Sequence, residues 1–162
     1  MDYHFSGQVS QALPVPALWA PHFRWVKDAI DPRLNGLLVI WYDGALGHYI
    51  GKRRDSINNM VAGAPIVTLS FGERPQFRLR PWRDKGKQFV DFPATDGTVF
   101  ILPYDTNLSW THEVPHRAAD RGRRISVTLR AFHPARPEPV NSTEPQTPES
   151  NDGRGDEAFE GQ

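Results

Sequence analysis

Apolar positions in this 162-residue chain follow a helical period once and a strand period many times. Trp19, Phe23, Val26 and Ile30 recur every three or four residues, which puts them on one face of a helix. Pro21 suits a first turn, where its missing N–H costs nothing. Asp31-Pro32 predicts the stop, because the residue before a proline is pushed out of helical conformation. That stripe predicts a helix packed on a sheet. After Asn35 the period falls to two. LLVIWYD (37–43) reads as a strand and HYIG (48–51) as a short second one. PIVTLSFG (65–72), closed by Gly72, reads as a buried strand. QFRLRPW (76–82), KQFVDF (87–92) and GTVFILP (97–103) alternate, and NLSWTHEV (107–114) extends the pattern more weakly. RRISVTLRAF (123–132) is the clearest strand of all.

Turns rich in Gly, Pro, Asp and Asn separate these runs, and no helical pattern lies between them. Parallel βαβ units are therefore excluded, and about eight short strands imply an antiparallel sandwich or jelly roll. Residues 1–36 form an N-terminal extension with the one helix, and 37–133 form the β domain.

Charge is distributed unevenly. From Pro134 onward there are two basic and seven acidic residues, a net of −5 that leaves the body at +5. This tail, 134–162, has five prolines and one aromatic, too little apolar surface to offset its ordering entropy, and is expected to be disordered. A basic body with an acidic tail suits nucleic-acid binding and equally suits a solvated surface with a solubilising tail. The chain has no cysteine, which removes disulfides and thiolate metal sites. No apolar run approaches the ~20 residues of a membrane span, and MDYHFSGQVS has no secretory pattern. A cytoplasmic monomer with no membrane partner is the expectation.

Candidate chemistry begins in the last strand. Alternation puts Ile125, Val127 and Leu129 on one face and Arg124, Ser126, Thr128 and Arg130 on the other. The arginine Cα atoms lie ~20 Å apart along the strand, and their side chains leaning inward could bracket a small dicarboxylate, since guanidinium forks match carboxylates. Taken alone, this strand reads more simply as half-exposed with two solvated arginines. HEVPH (112–116) matches the H-E-x-x-H zinc-hydrolase pattern. That motif needs a helix, and Pro115 with the strand-like flank Ser109-Trp110-Thr111 argues against one.

Residues 37–132, about three-fifths of the chain, resemble the AlkB-like 2-oxoglutarate/Fe(II) dioxygenases. The resemblance is carried by Tyr42 in VIWYDGALGHYIG, Asp55, PIVTLSFG followed by FRLR, GTVFILPYD, His112 in THEVPH, and RRISVTLR. It implies a mainly β double-stranded β-helix (jelly roll), with Fe(II) as metal and 2-oxoglutarate as cosubstrate. It further implies that Asp55 and His112 bind iron, and that Tyr42, Arg124, Arg130 and Ser126 line the cosubstrate site. The implied reaction splits 2-oxoglutarate into succinate and CO₂ while hydroxylating a C–H bond, with alkylated DNA or RNA bases as the substrate class. Such a base must be unstacked, and Trp25, Trp41, Trp82 and Trp110 are candidates to stack on it, although each reads first as core or strand packing.

Three departures from the family pattern stand out. Ile40-Trp41-Tyr42 replaces an Asn-x-Tyr, and Ser126 stands where asparagine is common. The iron-binding His-x-Asp reads Arg53-Arg54-Asp55. Arginine has no lone pair for a metal, and its charge repels one. His48 lies five residues before Arg53, on the opposite strand parity, which makes it a poor substitute. The alternative to an enzyme is therefore a catalytically silent homologue that binds a dicarboxylate or nucleic acid.

Overall fold

The computed structural model describes residues 13–83 and 88–134, together with the backbone of Tyr3–Phe5 and Gln8–Ser10. The acidic tail beyond residue 134 lies outside the described residues. Strands β1 (Tyr3–Phe5) and β2 (Gln8–Ser10) form a hairpin that the sequence pattern does not reveal. Helix α1 (Ala20–Ala29) follows, with Pro21 in its first turn as predicted. The remaining strands are β3 (Gly36–Asp43), β4 (Ile50–Arg53), β5 (Ile66–Gly72), β6 (Gln76–Pro81), β7 (Val90–Pro93), β8 (Thr98–Leu102), β9 (Trp110–Val114) and β10 (Arg123–Arg130). A short helix α2 (Tyr104–Ser109) precedes β9.

These eight strands make two four-stranded antiparallel sheets, in the orders β3-β10-β5-β8 and β4-β9-β6-β7. Consecutive strands alternate between sheets often enough that each sheet is sewn from distant segments. This is the expected jelly roll. Burial then divides by strand parity. Val67 and Leu69 of β5 pair with Leu129 and Val127 of β10, and all four pack under α1 with Val26, Leu34, Ala64 and Ala131. Burying such side chains contributes ~1.5–3 kcal/mol each, so this layer fixes which face of β10 meets the helix.

The opposite face of β10 therefore points at the second sheet. Here the solvated-arginine expectation is overturned. Arg124 and Arg130 are only 4% and 6% exposed, because the β4-β9-β6-β7 sheet covers the face that a single strand leaves ambiguous. Gly72, in register with Arg124, has φ +86° and takes a Cβ-free approach to the Arg123 carbonyl, which lets β5 close against the start of β10.

Two strand boundaries move. The strand expected at 48–51 runs Ile50–Arg53 instead. Asp43 accepts from Ala45 N–H and caps a 3-10 turn at Gly44–Leu46, while the His48 N–H donates to the Asp43 carbonyl. That turn delays β4 and carries Arg53 into the sheet. Asn107, Leu108 and Ser109 belong to α2 rather than a strand, with Ser109 Oγ donating to the Asp105 carbonyl. The tryptophan expectation also changes: Trp25 and Trp41 are half-exposed and Trp82 is 44% exposed, so none of the three is core.

Candidate functional site

Between the sheets lies a cavity whose lining includes Tyr42, Asp55, His112, Arg124, Ser126 and Arg130. Each polar member arrives there by strand parity. Tyr42, Arg124 and Gly72 stand in line across β3, β10 and β5, and Ser126 stands in line with Ile40 and Ser70. Thr68 and Thr128 hydroxyls meet at 3.3 Å one step further along. The cavity thus has a polar floor laid by one sheet.

At one end, Arg124 Nε donates to Ser70 Oγ at 2.9 Å, and its guanidinium sits 5.5 Å from the centre of the Tyr42 ring. Arg124 Nη1 is buried with no hydrogen-bond partner among the described residues. Burial pushes the Arg124 pKa down, with Tyr42 opposing. A buried cation without a counter-ion costs several kcal/mol, and an anionic ligand removes that cost.

The other end is built around Asp55. Arg130 donates Nε and Nη2 to Asp55 Oδ2 at 2.9 and 2.6 Å. Asp55 Oδ1 lies 3.7 Å from His112 Nε2. Burial alone would raise the Asp55 pKa, but the charge of Arg130, then His112, the Arg130 hydrogen bonds and Arg53 hold it below the usual carboxylate value. Burial lowers the His112 pKa, Arg53 and Arg130 push the same way, and Asp55 opposes them. Neutral imidazole with an available nitrogen lone pair is the form that binds metals. Phe77 lies nearly parallel to His112, centroids 5.9 Å apart at 14°, and stacks on Phe100 at 4.7 Å. These rings give the histidine an apolar wall.

Asp55 follows β4 in irregular chain, and its backbone is held from 52 residues away. Asp55 N–H donates to Asn107 Oδ1, and Asn107 Nδ2 donates to the Asp55 carbonyl, both at 3.0 Å. Asn107 is 1% exposed. Sequence reasoning missed this residue, and a lone asparagine in a short helix gives no signal for it. It also missed Ser70, although a serine between Leu69 and Phe71 on the Ser126 parity is a readable hint.

The two arginines are not a matched pair. Arg130 is engaged with Asp55, and Arg124 is the cation without a carboxylate partner among the described residues. Arg53 stands in register with His112 across β4 and β9 and lines the same cavity. His48 is elsewhere: its Nδ1 accepts the Asp43 N–H at 3.1 Å and its ring meets the edge of Trp41. The zinc-hydrolase pattern also fails, since His112 sits on strand β9.

A profile of the 2OG-Fe(II) oxygenase superfamily matches residues 2–130, and the chain belongs to that superfamily. Its relatives are AlkB-like. The human protein "DNA oxidative demethylase ALKBH2" is 27% identical over 140 residues, covering 80% of this chain and 52% of that protein. The rat "Alpha-ketoglutarate-dependent dioxygenase alkB homolog 3" is 26% identical over 143 residues, covering 83% of this chain and 48% of that protein. The chain spans about half the length of the curated relatives it matches. The solved structure of OsALKBH1 superposes with a TM-score of 0.55 at 18% identity, over 78% of this chain and 68% of that one, which supports the fold.

The superfamily implies Fe(II) and 2-oxoglutarate. The cavity fits the second: its lining includes a buried guanidinium, Arg124, with one donor unpartnered among the described residues. For iron, His112 Nε2 and Asp55 Oδ1, 3.7 Å apart, are the donors that would hold it. Among the described residues no cluster of three or more His, Cys, Asp or Glu could hold a metal ion. His112 and Asp55 are donors of the kinds that a two-histidine, one-carboxylate set uses, and Arg53 stands in register with His112.

Proposed function

We propose that this chain is a 2-oxoglutarate-dependent dioxygenase that hydroxylates N-alkyl groups on nucleic-acid bases, with His112 and Asp55 as the protein ligands to iron. The observation that carries the proposal is Arg124, which lines the cavity, is buried and held by Ser70, and has an Nη1 with no hydrogen-bond partner among the described residues. In this reading Arg124 and Tyr42 hold the carboxylate of 2-oxoglutarate remote from the metal, and Ser126 lines its path. Arg130 fixes the orientation of Asp55 so that Oδ1 faces His112. Phe77 and Phe100 keep water from the imidazole side. Iron, when bound, supplies the oxygen chemistry that couples decarboxylation of 2-oxoglutarate to hydroxylation. One atom of O₂ enters succinate and the other the alkyl carbon. A hydroxymethyl on nitrogen then breaks its C–N bond, leaving formaldehyde and the restored base N–H.

Nucleic acid as substrate draws support from the relatives' names and from the surface beside Asp55. A groove there is lined by Lys52, Arg54, Trp82 and Asn58, with the Arg54 guanidinium 3.0 Å above the Trp82 ring. Cations for phosphates and an exposed aromatic for a base are what single strands require. A second reading, a silent homologue that binds without turnover, draws support from Arg53, an arginine rather than a third metal donor in register with His112.

The test is turnover on an N-methylated single-stranded oligonucleotide with Fe(II), ascorbate and 2-oxoglutarate. Succinate and formaldehyde released in equal amounts, and lost in His112→Ala and Asp55→Ala, support the enzyme. Oligonucleotide and 2-oxoglutarate binding with no succinate supports the silent homologue.

A further inference from the structure

Arg54 stands in sequence between Arg53 and Asp55, which both line the inter-sheet cavity, but it is not itself part of that lining. Its side chain lies in the neighbouring groove of about 620 Å³ with Lys52, Asn58 and Trp82. Its guanidinium sits 3.0 Å over the Trp82 ring, and its Nη1 donates to the Leu108 carbonyl at 2.7 Å.

Leu108 is the middle one of three consecutive residues at the end of α2, and each of the three holds a different part of this region. Asn107 brackets the Asp55 backbone with two hydrogen bonds of 3.0 Å. The Leu108 carbonyl accepts from Arg54. The Ser109 carbonyl accepts the Trp82 N–H at 2.8 Å. A helix leaves its last carbonyls without intrahelical partners, and here two of them are taken up by residues of the groove. The contacts close a loop: Trp82 to Ser109, along the chain to Leu108, across to Arg54, and back onto the Trp82 ring. Asp55 is joined to this loop twice, by its peptide bond with Arg54 and by Asn107.

We propose that Arg54 is a positioning residue that couples occupation of the groove by a nucleic-acid strand to the placement of Asp55. The proposal rests on the reading of the groove as the surface that meets the strand. It adds that the stacking platform is assembled before the strand arrives and that its occupation is felt at Asp55. Trp82 remains 44% exposed with Arg54 over its ring, so stacking surface is left for a base. Indole rings and guanidinium planes both stack on bases. A base seated on this pair immobilises both side chains, and with them the end of α2 that brackets Asp55. Ordering one end of such a loop lowers the entropy cost of ordering the other, and the coupling is reciprocal. Lysine at position 54 keeps the charge but has no plane to stack.

The experiment is amide hydrogen exchange by NMR on the full chain, free and with an N-methylated single-stranded oligonucleotide whose binding is followed by fluorescence anisotropy. The Asp55 N–H, held by Asn107, reports the coupling, and the Val127 N–H in the core of β10 reports the fold. In the native chain the oligonucleotide is expected to slow Asp55 exchange about tenfold. In Arg54→Gln the free chain is expected to exchange Asp55 about tenfold faster with Val127 unchanged, and the oligonucleotide no longer slows it. Arg54→Lys is expected to lose the same response, which assigns it to the planar stack rather than to charge. Oligonucleotide bound to the native chain with Asp55 exchange unchanged overturns the coupling and leaves the nucleic-acid reading in place. A slowing that persists in both variants overturns the role of Arg54. No oligonucleotide binding by the native chain overturns the nucleic-acid reading, and the coupling with it.

Discussion

Arg130 places two donors on one oxygen of Asp55, at 2.9 and 2.6 Å, and so leaves the other oxygen facing His112. The pair joins β10 to the loop after β4 and is 8% and 10% exposed at its side chains. It ties the first sheet to the second across the cavity. Removing one partner of a buried pair strands the other charge. Arg130→Met is expected to destabilise the fold by ~3–5 kcal/mol, read from urea unfolding. A loss under ~1 kcal/mol would show the pair to be as weak as a surface bridge.

Asn107 predicts a separation of affinity from stability. Among the described residues its side chain accepts from and donates to the backbone of Asp55. Asn107→Ala should cost ~2 kcal/mol in unfolding free energy for two hydrogen bonds. It should also weaken Mn²⁺ binding to the 2-oxoglutarate-loaded chain ~10-fold or more, because a displaced Asp55 is a poorer ligand. Calorimetry on protein verified as folded checks this, and unchanged Mn²⁺ affinity would remove Asn107 from the site.

Acid should unfold the protein in two stages. The His112 pKa is lowered in the fold, so between its ordinary value of 6.5 and that lower value the unfolded chain binds more protons, and stability falls as pH falls. The Asp55 pKa is lowered as well, so its contribution is complete above its ordinary 3.8 and is lost as pH drops through the lower folded value. Urea midpoints from pH 8 to 3 should decline first below about 6.5, and His112→Gln should flatten that first stage. A midpoint that stays level from pH 7 to 5 would contradict a neutral buried His112.

Trp82 is the surface residue best placed to meet a base near Asp55. Trp82→Ala should weaken single-stranded DNA binding by ~1–3 kcal/mol, measured by fluorescence anisotropy, while leaving 2-oxoglutarate binding alone. Trp41→Ala, an equally exposed tryptophan on β3, is the control and should change little. Equal losses in both would mean that neither is a specific stacking platform.

Much of this was legible in the chain. The period-two runs locate most strands, and the six-residue spacing of Arg124 and Arg130 fixes their shared face. Which face is buried was not legible, because that depends on a second sheet assembled from β4, β6, β7 and β9, three of which are separated from β10 by other strands. The division of labour between the arginines was also hidden. It follows from where Asp55 sits, and Asp55 is placed by Asn107, a contact spanning 52 residues. The late start of β4 escaped for a local reason: His48 looks like the first strand residue, yet its ring is turned back to the Asp43 N–H.

The most direct test is a crystal structure grown with 2-oxoglutarate and Mn²⁺, with the anomalous signal of manganese recorded. The account predicts one carboxylate of 2-oxoglutarate on Arg124 and a single anomalous peak between His112 Nε2 and Asp55 Oδ1. A dicarboxylate bound elsewhere, with Arg124 Nη1 still without a partner, would contradict it.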